Sequence, residues 1–195
     1  MTLTHQLPSL RRSIPDPINF DSWPELTVAT PTDVIVSGVS LIRLVEICGT
    51  PCVHTAAAVI AGTRGRPSPT DGATTVVVRV TAVEHVANSA LRVSVDGRLR
   101  GARAVFAEAR LIGRASTAHN RTVMMVDAGE PVGEGAQIPL PAGLPGDIHP
   151  GDLIVIPCPG LLALRQVSHR ADGRTSDRVL AAMPARSTSW LASID

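Results

Sequence analysis

Lysine and tyrosine are both missing from this chain of 195 residues, and all 18 of its basic residues are arginine. A lysine amine is the group that forms a Schiff base with pyridoxal phosphate, so that adduct cannot form on this chain. Aromatic residues are scarce, at 2% of the sequence. Phe20 and Trp23 lie close together despite that scarcity, and we expect both to pack on the rest of the protein.

Charge and apolar runs argue against two classes of partner. The net charge of +1 does not predict a nucleic-acid surface or a polyanionic partner. No apolar run reaches the length of a membrane span, and residues 1–12 lack the apolar core of a signal peptide. We therefore expect a cytoplasmic protein that binds neither nucleic acid nor membrane.

The three cysteines, Cys48, Cys52 and Cys158, do not have the spacing of a disulfide framework, so reduced thiols are expected. Cys48 and Cys52 resemble half of a zinc site, but no further ligands follow at a standard spacing, so no metal is predicted. His54 would share a strand face with Cys52. That placement allows a nucleophile pair, although a core cysteine beside a satisfied histidine is the favoured alternative.

Strand signals dominate the chain. Runs of β-branched or alternating apolar residues predict strands at 26–29, 34–36, 52–55, 74–85, 91–96, 103–113, 121–126, 153–156, 162–167 and 178–182. One helix is predicted over 41–47, since Ser40 can cap its start and Gly49 its end. The pattern predicts a mainly β fold, a single antiparallel β-barrel or sandwich with one short helix.

Proline, glycine and polar residues mark the boundaries of this fold. We predict an extended N-terminal arm at 1–24, a β-barrel domain at 25–184 and a C-terminal tail at 185–195. Two loops are predicted within the domain, at 64–72 and 132–151. Loops as long as the second tend to be lids or binding edges.

Several segments resemble one family in the same order along the chain. Residues 36–53, VSGVSLIRLVEICGTPCV, resemble the opening of the β-domain of fold-type III pyridoxal-phosphate decarboxylases, the diaminopimelate and ornithine decarboxylase family. Residues 63–66 resemble its Glu-Pro-Gly-Arg re-entry segment, 94–97 its Val-Asp-Gly-Gly turn and 148–157 its Pro-Gly-Asp strand. The resemblance spans residues 30–182 and implies the C-terminal β-domain of such an enzyme without its catalytic barrel.

The resemblance also implies site residues. Arg66 and Arg103 match arginines that contact acidic groups of the family's substrates, and a guanidinium fork suits a carboxylate. The alternative is that both are ordinary surface arginines. Leu162 stands where the family has a cofactor-holding tyrosine, and Glu134 lies where the family has an active-site loop. The cofactor lysine and the phosphate loop have no counterpart, so no cofactor is expected.

Glu108 is a candidate acid or base because it lies in an otherwise apolar run with Phe106. On a strand the two would share a face, so Phe106 is a candidate contact for a ligand. If that face meets water instead, Glu108 only solubilises the chain. Glu84 and His85 are also adjacent, but strand neighbours point to opposite faces, and solvated residues are the favoured interpretation.

Two functions of different classes fit these features. The first is a repurposed, cofactor-free protein that binds an apolar, carboxylate-bearing small molecule and catalyses a cyclisation or isomerisation in bacterial specialised metabolism. Arg66 and Arg103 would anchor the acid, and Glu108 or Glu134 would move the proton. The second is a non-catalytic subunit of a decarboxylase or another pathway enzyme. A homodimer is expected in the first case, since removing a barrel uncovers apolar surface.

Overall fold

The computed structural model describes residues 3–86, 90–127 and 140–168, and within them the chain is mainly β, as predicted. The strands are β1 (Val28–Ala29), β2 (Val34–Val36), β3 (Val39–Ser40), β4 (Cys52–Val59), β5 (Pro67–Val86), β6 (Ala90–Val95), β7 (Arg110–Ile112), β8 (Asn120–Asp127), β9 (Leu140–Pro145) and β10 (Leu153–Pro159). The helices are α1 (Leu3–Gln6), α2 (Leu41–Cys48) and α3 (Leu164–Val167), with 3-10 turns at Pro8–Arg12, Phe20–Ser22 and Phe106–Glu108. None of these helices is long and apolar enough to cross a membrane.

Seven strands form one large sheet that curves into a nearly closed barrel. Their order is β7-β10-β5-β6-β8-β9, and β4 pairs with the first half of β5. The pairs are antiparallel, as predicted, except for β6 and β8, which are parallel because the chain crosses over between them. The end strands β7 and β9 lie near each other, but in the described residues no ladder joins them. We call this gap the seam.

Strands β5 and β10 are apolar on both faces because each face meets a different core. Val76 and Val78 point into the barrel, whereas Val77 points outward, as the two-residue period of a strand requires. The outer core packs β5 and β10 against Trp23, β2 and α2. This part of β5 is therefore buried on both sides, which is typical of strands with continuous valine runs.

Helix α2 begins and ends as predicted. The Ser40 hydroxyl accepts a hydrogen bond from the Arg43 N–H at 3.1 Å, and Gly49 ends the helix with a φ of 74°. Asp33 supports the same end of the helix. Its Oδ1 accepts from the Ile42 N–H at 3.2 Å, and its Oδ2 accepts from the Ser40 hydroxyl at 2.5 Å. The Asp33 carboxylate thus ties α2 to the start of β2.

Three local predictions are wrong. Residues 162–167, predicted as a strand, contain α3, whose first turn is tied by the Gln166 side chain accepting from the Ala163 N–H at 2.7 Å. The strand predicted over 103–113 is reduced to β7 after a 3-10 turn, and β5 begins inside the loop predicted at 64–72. Short apolar runs fit a strand or a helix equally well, so tertiary packing decides between them.

The predicted long loop at 132–151 contains strand β9, so it is shorter than expected. The strand predicted at 178–182, the tail at 185–195 and Glu134 lie outside the described residues. The predicted division into arm, domain and tail stays a prediction.

The N-terminal segment before residue 24, which we call the arm, is not extended as predicted but contains α1 and two 3-10 turns. It folds back on the barrel, and Trp23 is fully buried in the outer core. Phe20, expected to pack beside it, is 48% exposed. The indole N–H of Trp23 donates to Glu108 Oε2 at 2.9 Å, which joins the arm to the segment before β7. Trp23 is therefore the aromatic anchor of the arm.

Replacing this anchor should cost far more stability than replacing its exposed neighbour. We expect Trp23→Ala to lower the free energy of unfolding by about 3–5 kcal/mol, because it leaves a large cavity in the outer core. The matched variant Phe20→Ala should lower it by less than about 1 kcal/mol, since half of that side chain is in solvent. Urea denaturation followed by far-UV circular dichroism measures both, and equal losses would contradict the assignment.

Candidate functional site

A cavity of about 250 Å³ lies where the arm crosses the seam. Its walls come from the arm, from the segment between β1 and β2, from the 3-10 turn and β7, and from β9. Six of its twenty lining residues are charged: Arg11, Asp16, Asp33, Glu108, Arg110 and Arg114. We call it the seam cavity. It is smaller than the roughly 300–1,000 Å³ of pockets for drug-sized ligands, so it suits a compact molecule.

Arg110, the first residue of β7, is the central cation of this cavity. Its Nη1 donates to the main-chain carbonyl of Asp16 at 2.5 Å, and its Nη2 donates to the carbonyl of Pro17. The guanidinium lies 5.8 Å from the centre of the Trp23 ring, within cation–π range. Burial lowers the pKa of Arg110, and the nearby carboxylates of Glu108 and Asp16 offset that effect only in part. Its nearest carboxylate oxygen, Glu108 Oε2, lies 3.9 Å from Nη2, too far for a hydrogen bond.

Glu108 lines the seam cavity, so the alternative in which it only meets water does not apply. Its Oε2 accepts from Trp23 Nε1–H at 2.9 Å and from the Asn19 N–H at 3.2 Å, and it lies 3.9 Å from Arg110 Nη2. One carboxylate oxygen is thus engaged in holding the arm. Phe106 lies in the same 3-10 turn rather than on a strand, and its side chain packs on the barrel core, so the two do not share a strand face.

Arg11 enters the cavity from the arm and is only 6% exposed. Its Nη1 donates to the carbonyl of Ala118 at 2.7 Å, and its Nε lies 3.0 Å from Asp16 Oδ2 in an ion pair. The geometry at Nε is not that of a hydrogen bond, and Nη2 also has no hydrogen-bond partner in the described residues. The buried guanidinium of Arg11 therefore has N–H donors without a hydrogen-bond partner in the described residues.

Unpartnered polar atoms concentrate at this cavity. Six buried side-chain nitrogen or oxygen atoms in the described part of the chain have no hydrogen-bond partner. Five of them belong to four residues of the cavity lining: Arg11 Nε, Arg11 Nη2, Asp16 Oδ1, Arg110 Nε and Asn120 Oδ1. Buried polar groups in native proteins are nearly always hydrogen-bonded, so a cluster of exceptions in one place points to a missing partner there.

Arg114 also lines the cavity, but four of its five N–H donors are already used. It donates to both carboxylate oxygens of Asp152, at 2.8 and 2.7 Å, to Asp147 Oδ2 at 3.1 Å and to the Asp147 main-chain carbonyl at 2.9 Å. The hydrogen bonds to Asp152 raise the pKa of Arg114 above its usual range. Burial by itself raises the pKa of Asp147, but hydrogen bonds from Ser116 and Arg114 outweigh it, and the net pKa is lowered. This cluster mainly holds the turn before β10.

Removing the charge of Asp152 should therefore destabilise the fold. We expect Asp152→Asn to lower the free energy of unfolding by about 1–3 kcal/mol, because the guanidinium loses its bidentate partner in a part-buried site. The control Asp71→Asn removes an exposed carboxylate and should change stability by no more than about 0.5 kcal/mol. Chemical denaturation measures both variants. Similar losses of unfolding free energy would show that the bidentate pair stabilises the fold no more than an exposed carboxylate does.

The structure does not bring the two predicted substrate arginines to a cavity. Arg66 is exposed in the turn between β4 and β5, where its N–H donates to Thr63 Oγ1 at 3.2 Å. Arg103 is exposed before the 3-10 turn. Neither lines the seam cavity. Neither lines the second groove, which lies beside Leu161 between the arm and the β4–β5 hairpin. Their surface placement favours the alternative of ordinary surface arginines, although their role in binding stays a prediction.

The two remaining predicted positions lie elsewhere. Leu162 is half-buried against the barrel core, and its N–H donates to Thr74 Oγ1 at 3.0 Å, so the side chain does not reach the seam cavity. Glu134 lies outside the described residues. Glu84 and His85 are both exposed, as predicted for solvated strand-end residues.

Cys52 and Cys158 are core thiols. Burial, with smaller contributions from Cys48 and Asp96, raises the pKa of Cys52 to about 11, and burial raises the pKa of Cys158 to about 12. Neither is a thiolate near neutral pH, so a nucleophilic pair of Cys52 with His54 has no support. His54 is not satisfied as expected, because its buried Nε2 has no partner in the described residues. Among those residues, no three side chains of metal-binding type lie together.

Thiol labelling tests this difference directly. With Ellman's reagent at pH 8, the exposed Cys48 should react rapidly in the folded protein, while Cys52 and Cys158 stay unreactive until the chain is unfolded. At that pH about one Cys52 side chain in a thousand is a thiolate, given its raised pKa. Cys48→Ser should abolish the fast phase. A fast phase that survives in this variant would contradict the burial of the other two.

Sequence reasoning missed Arg11, Asp16, Arg110 and Asn120. They lie in two segments about a hundred residues apart. In the sequence, each has the features of an ordinary polar surface residue. One weak signal was present, since Arg110 interrupts an apolar run at 104–112 and a charge there calls for a partner.

Comparison with known proteins does not assign a family. No protein-family model matches the chain, and no curated protein matches it. Functional inference therefore depends on the geometry of the seam cavity together with the motifs that resemble the decarboxylase β-domain.

Proposed function

We propose that this protein is a cofactor-free, decarboxylase-like β-barrel that binds a small carboxylate-bearing molecule in the seam cavity. One observation carries the proposal: the buried guanidinium groups of Arg11 and Arg110 keep unpartnered N–H donors at the same cavity. A carboxylate is the acceptor that best matches a guanidinium in both charge and shape.

The electrostatics of Arg110 support an anionic ligand. Its two hydrogen bonds go to main-chain carbonyls, which carry no net charge, and its nearest carboxylate oxygen is 3.9 Å away. An anion in the cavity would compensate the remaining charge. The unpartnered atoms are enclosed between the arm and the barrel, so a ligand reaches them as the arm shifts, and its carboxylate then replaces main-chain carbonyls as the partner of Arg110.

The lining revises the expected character of the ligand. An apolar acid was expected, but six charged side chains line the small seam cavity, so a compact and polar molecule fits better. The absence of lysine excludes a Schiff base, so any reaction depends on orientation and on the field of the charged lining. A cyclisation or isomerisation is the proposed reaction class, with Glu108 as the acid or base. Glu134, the other proposed acid, and a cytoplasmic location are parts of the same proposal.

The resemblance to the decarboxylase β-domain is supported by the mainly β, nearly closed barrel and by α2 at its opening. The Pro-Gly-Asp segment supports it too, since the buried Asp152 directly precedes the central strand β10 and forms an ion pair with the part-buried Arg114. These features favour a β-domain derived from such an enzyme and used without its barrel.

Ligand-dependent stability tests the proposal. Propionate, succinate and benzoate are added to the purified protein, and the melting temperature and calorimetric heats are recorded. At ten times its Kd a ligand should stabilise the folded state by about 1.4 kcal/mol. Arg11→Gln and Arg110→Gln should each weaken binding at least about tenfold, since a charge-assisted hydrogen bond is lost.

Two exposed arginines provide matched controls. Arg66→Gln and Arg103→Gln remove the same charge from positions that do not line the seam cavity and should leave the affinity unchanged. If these two variants lose binding and the cavity variants retain it, the acid binds where the resemblance implies instead. If no small carboxylate, plain or hydroxylated, stabilises the protein, the proposed function is wrong.

A second candidate function, a non-catalytic partner subunit, is favoured by apolar side chains in solvent. Leu161 is 70% exposed beside a wide groove between the arm and the β4–β5 hairpin, and Leu164 in α3 is 47% exposed. Exposed apolar groups of this kind often mark an interface. Light scattering on the purified chain distinguishes a homodimer from a monomer. A monomer would leave these exposed leucines available to a different protein.

A further inference from the structure

We propose that the ligand of the seam cavity is a small hydroxycarboxylate, with its carboxylate on the guanidinium groups of Arg11 and Arg110 and its hydroxyl between Asp16 and Asn120. This inference rests on the proposed function, because it specifies the chemical class of ligand that the same cavity selects.

The unpartnered atoms of the cavity are of two kinds. Arg11 Nε, Arg11 Nη2 and Arg110 Nε are donors, whereas Asp16 Oδ1 and Asn120 Oδ1 are acceptors. A plain carboxylate contains only acceptors and would leave both oxygens without a partner. A hydroxyl close to the carboxylate supplies the missing donor and can also accept from a guanidinium N–H. The donor and acceptor pattern of the cavity is therefore complementary to a molecule that carries both groups.

The existing partners keep these two oxygens available. Asp16 uses Oδ2 for the ion pair with Arg11 at 3.0 Å, so its other oxygen remains open. Asn120 uses its amide nitrogen, which lies 3.4 Å from His5 Nε2, and leaves its carbonyl oxygen. Asp16 comes from the arm, as Arg11 does, and Asn120 begins β8 beside the arm residue His5. One short ligand can thus satisfy the donors and the acceptors at the same time.

The position of the cations favours a hydroxyl over an ammonium group. Arg11 Nε lies 3.0 Å from Asp16 Oδ2, and Arg110 Nη2 lies 3.9 Å from Glu108 Oε2. An ammonium group between Asp16 and Asn120 would place a third cation beside these two, whereas a hydroxyl adds no charge.

Matched acids test the assignment on the full-length protein. Isothermal titration compares L-malate with succinate, and L-lactate with propionate, each pair differing by one hydroxyl. We expect the hydroxy acid of at least one pair to bind about ten- to a hundredfold more tightly, since the partner of the hydroxyl is a charged acceptor. L-Aspartate, which has an ammonium in place of the hydroxyl of malate, should bind more weakly than malate.

Variants locate the effect. Asn120→Val removes one acceptor while keeping a residue that suits the start of β8, and it should bring the malate-to-succinate affinity ratio close to one. Asp16→Asn is the second variant, and it should lower the same ratio. His119→Val, at the exposed position next to Asn120, is the matched control and should keep the preference of the unsubstituted protein.

Each outcome has a separate meaning. Equal affinities within both pairs, malate with succinate and lactate with propionate, overturn the hydroxyl assignment but leave the proposed carboxylate site standing. Tighter binding of aspartate than of malate also overturns it, in favour of an ammonium group. A preference for malate that survives both Asn120→Val and Asp16→Asn shows that the hydroxyl is recognised elsewhere. If no acid of either kind binds, the proposed function itself is wrong.

Discussion

The guanidinium of Arg110 connects the arm to the seam of the barrel, and the other features of this region depend on it. It donates to two consecutive carbonyls of the arm, at Asp16 and Pro17, and lies over the ring of Trp23. Those contacts hold the arm across the gap between β7 and β9. Trp23 is buried in the outer core as a consequence, and the space left beneath the arm is the seam cavity.

A buried arginine with main-chain partners has a particular electrostatic character. Carbonyl groups satisfy its hydrogen bonds without neutralising its charge, whereas a carboxylate would do both. The nearest acid, Glu108, accepts hydrogen bonds from the indole of Trp23 and from the main chain of Asn19. Its carboxylate therefore holds the arm and compensates the charge of Arg110 less. Under the proposed function, the same contacts that close the seam leave a cation that binds an anion, so that structural and ligand-binding roles would coexist in one side chain.

The secondary structure was predictable where a local signal determines it. Helix α2 formed as expected because Ser40 and Gly49 provide its cap and its end within a few residues. Most of the barrel strands were also predicted from β-branched runs and turn residues, but their order in the sheet was not. Prediction failed at 162–167 and at 103–113, where short apolar runs are compatible with strand, helix or turn. In those places packing against the finished barrel decides the backbone conformation.

The sequence by itself determined two properties of this protein. A chain without lysine cannot hold pyridoxal phosphate as a Schiff base, and long β-branched runs require a mainly β fold. Only the tertiary structure decided where polar groups meet, because Arg11 and Asp16 come from the arm whereas Arg110 and Asn120 come from strands about a hundred residues later. Their proximity arises from the arm folding back over the seam, a long-range event that local pattern does not encode. Burial then separated these arginines from the exposed pair at 66 and 103, since residue type alone carries no information about solvent exposure.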